Sequence, residues 1–212
     1  MKKYELMKET KVIGGKTLFR IRALRSFGGI KAGDLGGFIE NERNLSHEGN
    51  AWVGDNAKVG GNAKVSDNAR VGGNARVGGN AKVSDNARVG GNAKVSDNAR
   101  VGGYARVGGN ARVDGDARVG GYAWVGGNAR VGGDGLINSD NDYLCEKGLG
   151  SHNRSASFFK CKDGHIHVLC GCFDGNLDEF ENKVKEEHGN GKYAKEYLGF
   201  IEVVKTHFEV RQ

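Results

Sequence analysis

From Ala51 to Asp134 the chain repeats Ala-x-Val-x-x-x fourteen times without drift. Ala and Val stand two apart, so in an extended segment both point to one face and the residue between them to the other. The remaining positions, mostly Gly/Ser, Gly/Asp and Asn, supply a turn that tolerates positive φ. A helix is excluded, because a Gly-rich six-residue period does not match 3.6 residues per turn. Strand and turn in alternation, with two inward side chains per side, describe a parallel β-helix of triangular section, three hexads to a coil. Coils stack at the inter-strand spacing of about 4.8 Å. Degenerate units extend the pattern, with Leu45 and His47 at the Ala and Val positions upstream and Gly135 and Ile137 downstream.

The flanks carry other periods. Thr17 to Leu24 alternates, and Gly14-Gly15 before it suits a hairpin turn, so residues 1–38 form a short N-terminal β cap. Residues 39–138 hold the repeat. Residues 139–212 form an α+β unit read as ββαα. Ser155–Lys162 and His165–Cys172 are strands joined by Asp163-Gly164, a two-residue hairpin signal. Asn176 caps a helix, with Glu179 three residues on completing a capping box. Leu177, Phe180 and Val184 form that helix's buried face and Gly189 stops it. A second helix carries Tyr193, Tyr197, Phe200, Ile201, Val204 and Phe208 at helical spacing.

Val71-Gly72-Gly73-Asn74-Ala75-Arg76 resembles the bacterial hexapeptide-repeat pattern at every position. The resemblance covers about half the chain. It implies a left-handed coil, an exception to the usual right-handed crossover, and a homotrimer. The expected fold class is therefore mainly β, a left-handed parallel β-helix with a short N-terminal β cap and a C-terminal ββαα domain. Arg20 to Leu24, Gly33 to Ile39, Asn44 to His47 and Cys170 to Phe173 resemble the hexapeptide-repeat proteins carried by phages and prophages, which mostly lack an assigned activity.

Composition narrows the classes. Gly is 37 of 212 residues and Pro is absent, but the glycines fall at fixed repeat positions and so punctuate structure. No long apolar run or secretory signal is present, so the expected location is the cytoplasm, that of the host if the chain is phage-encoded. The four cysteines, Cys145, Cys161, Cys170 and Cys172, are expected to be thiols. Net charge is +4 over residues 1–50 (10 basic, 6 acidic), +5 over 51–135 (12 and 7) and −3 over 136–212 (10 and 13). A basic body favours an anionic partner. Nucleic acid is a poorer fit, because the net charge is modest and Asp residues interrupt the basic field.

The outward residue between Ala and Val carries the candidate chemistry. One wall reads Trp52, Arg70, Arg88, Arg106, Trp124; the next Lys58, Arg76, Lys94, Arg112, Arg130; the third Lys64, Lys82, Arg100, Arg118. Two accounts stay open. The turn residues Asp55, Asp67, Asp85 and Asp97 neutralise cations that only keep the surface wet and block aggregation, or the cations form an anion-binding wall. The first wall suits a ligand best, since Arg reads phosphate in a fork and Tyr104 and Tyr122 stand two residues before Arg106 and Trp124. Aromatics beside Arg suit a nucleobase and its phosphates, and equally a subunit interface. The loop at Ser151, Asn153 and Arg154 is read either as an anion nest or as a linker.

No metal or other cofactor is expected. With Asp163-Gly164 as the turn, Cys161, Cys170 and Cys172 share a face with Phe159, Ile166 and Val168, while His165 and His167 lie opposite with Lys160 and Lys162. Tetrahedral ligands must converge. His47 is the catalytic base only if the chain resembles the hexapeptide-repeat acyltransferases in activity; its inward register favours a core or capping role. The sequence leads to a non-enzymatic oligomer binding a small anionic, nucleotide-like ligand, with resemblance suggesting sequestration of a host immune signal. An acyltransferase and a structural or scaffold phage protein are the alternatives.

Overall fold

The computed structural model describes residues 2–210. An N-terminal hairpin, β1 (Tyr4–Ile13) and β2 (Lys16–Ala23), turns through Gly14 and Gly15, both at positive φ. Strand β3 (Leu35–Ile39) pairs with β2 on one edge and with the first repeat coil on the other, so it spans the boundary between cap and repeat. The repeat supplies two-residue strands from β4 (Trp52–Val53) to β18 (Leu136–Ile137). They form the three walls of a parallel solenoid of about six turns. The walls follow the expected columns, with Trp52, Arg70, Arg88, Arg106 and Trp124 in lateral register.

Every inward Ala and Val from Ala51 to Val131 is at most 2 % exposed. Each buried Val contributes about 1.5–3 kcal/mol relative to exposure. Asn side chains form amide ladders at the corners, as in Asn62 to Asn80 (3.1 Å) and Asn80 to Asn98 (3.0 Å). The turn aspartates hold adjacent coils together. Asp55, Asp85 and Asp97 sit at φ between 51° and 55°, and their carboxylates accept the N–H of Gly73, Gly103 and Gly115 at 2.7, 2.8 and 3.2 Å.

Coil-to-coil hydrogen bonds form regular parallel ladders along each wall. Trp52 N–H donates to Ala69 O and Arg70 N–H to Ala87 O, at 3.0 and 2.9 Å. The outer edges of the first and last coils carry peptide groups with no further coil to pair with, and the flanking segments meet them. Donors meet the carbonyls. Lys3 Nζ reaches Ala51 O (2.9 Å), Phe38 N–H reaches Ala57 O (2.9 Å) and Asn44 Nδ2 reaches Ala63 O (2.8 Å). Acceptors meet the N–H groups. Asp140 Oδ1 takes Trp124 N–H (2.6 Å) and Ser157 Oγ takes Arg130 N–H (2.9 Å).

The C-terminal unit is a four-stranded antiparallel sheet, β19 (Tyr143–Leu149), β20 (Arg154–Lys160), β21 (Ile166–Cys170) and β22 (Phe173–Asn176), with helices α1 (Leu177–His188) and α2 (Lys192–His207). The two expected strands are its centre. Asn176 and Glu179 form the capping box, and Leu177, Phe180 and Val184 are buried. One sheet face places Phe159, Cys161 and Leu169 on the end of the solenoid core. The other places Phe158, Val168 and Cys170 under the helices.

That two-sided burial corrects the expected hairpin register. The connection has three residues, Lys162, Asp163 and Gly164. Cys161 N–H donates to His165 O (2.9 Å) and Gly164 takes φ 90°. Lys160 then pairs with Ile166 and Phe159 with His167. His167 thus joins Phe159 on the solenoid side, while Ile166 and Val168 face the helices. Both faces of β20 are apolar, so alternation carried no register information, and a one-residue slip turns every side chain over.

Gly109 (φ 61°) would place an added Cβ 2.8 Å from Gly127 O, whereas Gly78 has open space around it. Gly109→Ala is expected to cost about 1–2 kcal/mol from the left-handed backbone alone, and Gly78→Ala to be near neutral. Urea midpoints of the two variants check this.

Candidate functional site

The structure divides the first wall into a covered half and an open half. Trp52 is 5 % exposed and packs edge-on against Phe27 at 5.6 Å beneath the cap. The Arg70 guanidinium donates to Gly28 O, and burial, then the neighbouring Arg88, lowers its pKa. Both residues anchor the N-terminal loop, and both line a recess of about 390 Å³ beside it. Arg88, Arg106 and Trp124 are exposed. Tyr104 and Tyr122 stack with centroids 5.1 Å apart and planes 6° from parallel, at 55 and 79 % exposure. They continue the Asn50, Asn68, Asn86 amide ladder as an aromatic stack.

The polar loop lies apart from this strip. Tyr143 at the start of β19 donates its hydroxyl to Trp124 O (2.6 Å), and the loop follows the far end of that strand, about 20 Å away at 3.3 Å per residue. Ser151 Oγ is bonded to His152 Nδ1 (2.9 Å), and Asn153 sits at φ 48°. Arg154 lines a separate recess of about 240 Å³ with Cys170, Cys172 and Tyr197. The expected ligand residues are therefore split among the cap, an open strip and the C-terminal unit.

The cations lack the partners first assigned to them. Among the described residues, every ion pair within 4.0 Å lies in the flanking segments or links them to Asp134, and none uses an outward Lys or Arg of the hexads. Turn aspartates bind backbone N–H groups of the next coil instead. They offset the charge only at a distance, which corrects the expectation of local neutralisation.

A groove on the second wall was not foreseen. The β1–β2 hairpin stands over that wall and encloses about 470 Å³ between Ile13 and Leu18 on one side and Lys58, Arg76 and Lys94 on the other. Lys16 stands at the rim, 3.2 Å from Glu40, whose carboxylate also accepts Gly61 N–H (2.5 Å). Backbone hydrogen bonding to Gly61, then Lys16, holds the Glu40 carboxyl below its ordinary pKa against burial, and burial followed by Arg76 lowers that of Lys58. The sequence signal was present in the cationic column, but the hairpin's position over it was not.

His47 is packed into the cap. Its ring stacks on Tyr4 at 4.3 Å, its Nδ1 accepts Lys3 N–H (3.2 Å), and its Nε2 is buried without a hydrogen-bond partner. Burial lowers its pKa despite Glu42. A base for acyl transfer needs a nitrogen that an acceptor can reach, and neither ring nitrogen here is open to one.

A family model described as YdcK beta solenoid repeat matches residues 105–121. The matched stretch includes Arg106 and spans about one coil, and it supports a repeat β-helix protein. A search of the curated proteins finds no match to the chain. No helix among the described residues is long and apolar enough to cross a membrane.

The two tryptophans report on the two halves of the first wall. At dilutions that keep the chain monomeric, acrylamide is expected to quench Trp124 readily and Trp52 poorly, resolved by comparing Trp52→Phe with Trp124→Phe. Trp52→Ala should cost about 3–5 kcal/mol by opening a core cavity, while Trp124→Ala stays within about 0.5 kcal/mol; thermal unfolding of the monomer at the same dilution measures both.

Proposed function

We propose that the protein is a non-enzymatic, oligomeric binding protein for a small anionic, nucleotide-like ligand, taken up in the groove between the β1–β2 hairpin and the second wall. The observation that carries this reading is the column Lys58, Arg76, Lys94. Among the described residues it has no contact carboxylate, and it faces Ile13 and Leu18 across a concavity that Lys16 also lines. Small-ligand sites are concave, largely apolar and supplied with a few convergent polar groups. Arg76 offers a phosphate fork, and Ile13 and Leu18 offer a flat apolar edge to a base. The first wall is flatter and more exposed. Its strip of Tyr104, Tyr122 and Trp124 suits contact between copies, where Tyr, Trp and Arg are enriched, in a homotrimer. If the likeness to phage-carried proteins extends to their role, this binding would sequester a host immune signal in the host cytoplasm; that step rests on analogy.

Isothermal titration against cyclic dinucleotides and ADP-ribose derivatives tests the reading. At least one is expected to bind at micromolar protein. Arg76→Glu and Lys94→Glu should each weaken that binding about tenfold or more, as loss of a charge-assisted hydrogen bond does, while Arg106→Glu leaves it unchanged. Sensitivity confined to Arg106→Glu would move the site to the first wall. Absence of binding across the panel would leave a structural rod as the better account. Light scattering of Trp124→Glu should show loss of the oligomer.

A further inference from the structure

The corrected hairpin register brings together three side chains that the expected register separated. One potential ligand atom from each of Cys161, His165 and His167 lies within 4.8 Å of the others. Cys161 is buried, His165 is exposed and His167 is half-buried. Each imidazole already has one nitrogen committed to a carboxylate. His165 Nδ1 lies 2.6 Å from Asp163 Oδ1, and His167 Nε2 lies 2.7 Å from Asp174 Oδ1. A carboxylate only accepts, so those two nitrogens carry the protons. The nitrogens left over, His165 Nε2 and His167 Nδ1, face each other at 3.5 Å.

In neutral rings both facing nitrogens are lone pairs, which repel unless a cation lies between them. A shared proton is a poor bridge, since 3.5 Å exceeds the usual N–H hydrogen-bond range of about 2.7–3.2 Å. It nearly equals the separation of two nitrogens on one tetrahedral zinc ion, about 3.4 Å for bonds of about 2.0–2.1 Å. A carboxylate on the far nitrogen is the arrangement that fixes the tautomer and orientation of a ligating histidine. One thiolate and two imidazoles select a borderline-soft divalent ion over Mg²⁺ or Ca²⁺.

We propose that Cys161 Sγ, His165 Nε2 and His167 Nδ1 bind a zinc-class divalent cation, with Asp163 and Asp174 orienting the two imidazoles. The fourth vertex is a water site, because the histidines open onto a groove of about 610 Å³. Binding releases the Cys161 thiol proton to solvent as the S–metal bond forms. The ion also sits at the seam of the two units. Cys161 bridges to Gly135 of the last coil, and Lys162 pairs with Asp134 at 2.7 Å. Loading the ion therefore ties the hairpin turn to the end of the solenoid. This site is independent of the anion groove.

The test uses full-length protein stripped with a chelator and titrated with Co²⁺, then Zn²⁺. One Co²⁺ per chain is expected, with intense visible bands of a tetrahedral ion and a near-ultraviolet thiolate-to-cobalt band, both abolished by Zn²⁺. His165→Gln and Cys161→Ser should lose the bands. His165 is exposed, so its variant remains informative if burial makes Cys161→Ser fold poorly. Cys170→Ser and His152→Gln should retain the bands, and Asp163→Asn should weaken Zn²⁺ affinity about 10- to 100-fold. Absence of a thiolate band, a stoichiometry well below one, or bands that survive in His165→Gln would each overturn the site.

Discussion

The whole molecule depends on ending a stack of parallel strands without leaving peptide groups unpaired. A stack of two-residue parallel strands pairs each coil with the next and leaves the outer edges of the first and last coils open. Buried unpaired peptide groups cost about 1–3 kcal/mol each, and exposed ones would template further strands. The flanking segments are the answer. Carbonyls at the N-terminal end receive an ammonium, an amide and a backbone N–H from Lys3, Asn44 and Phe38. The C-terminal end receives acceptors from the Asp140 carboxylate and the Ser157 hydroxyl and a donor from the Tyr143 hydroxyl. Lys3 shows how strongly this need acts. It is fully buried, and burial, with Arg25 and Arg70 nearby, brings its pKa down to about 8.

The same stacking that pairs the backbone also lines up like charges. Cations about 4.8 Å apart in water repel by somewhat under 1 kcal/mol per pair, less with salt and with side chains that splay. The buried Val and Ala columns and the Asn ladders offset this along the rod. Aspartate cannot relieve it locally, because the turn carboxylates are already held by backbone N–H groups. Where the wall is open, solvent and salt screen the charge. Where the β1–β2 hairpin covers it, solvent screening is reduced.

The repeat region was legible because its period is short and its two inward positions are chemically uniform. The Gly14-Gly15 turn and the Asn176 capping box were legible for a similar reason, since each rests on residues adjacent in sequence. What the sequence could not show were contacts that depend on where one segment lies over another. Trp52 and Trp124 occupy equivalent positions in the repeat, yet one is buried by Phe27 and Gly36 and the other is open. Arg70 and Arg88 differ in the same way. The groove beside Lys58 exists only because the hairpin folds back over the second wall, and no local pattern encodes that.

The C-terminal hairpin shows a different limit. Alternation identifies a sheet face only when one face is wet, and here the solenoid end and the helices bury both. Ala156-Ser157-Phe158-Phe159 is buried throughout, so it reads the same in either register. The deciding residue is Gly164, whose φ of 90° lets the connection hold three residues in place of two. That single extra residue moves His165 and His167 from beside Lys160 and Lys162 to beside Cys161. The chemistry of the seam thus follows from a turn, and the turn follows from a sheet that must fit two different cores at once.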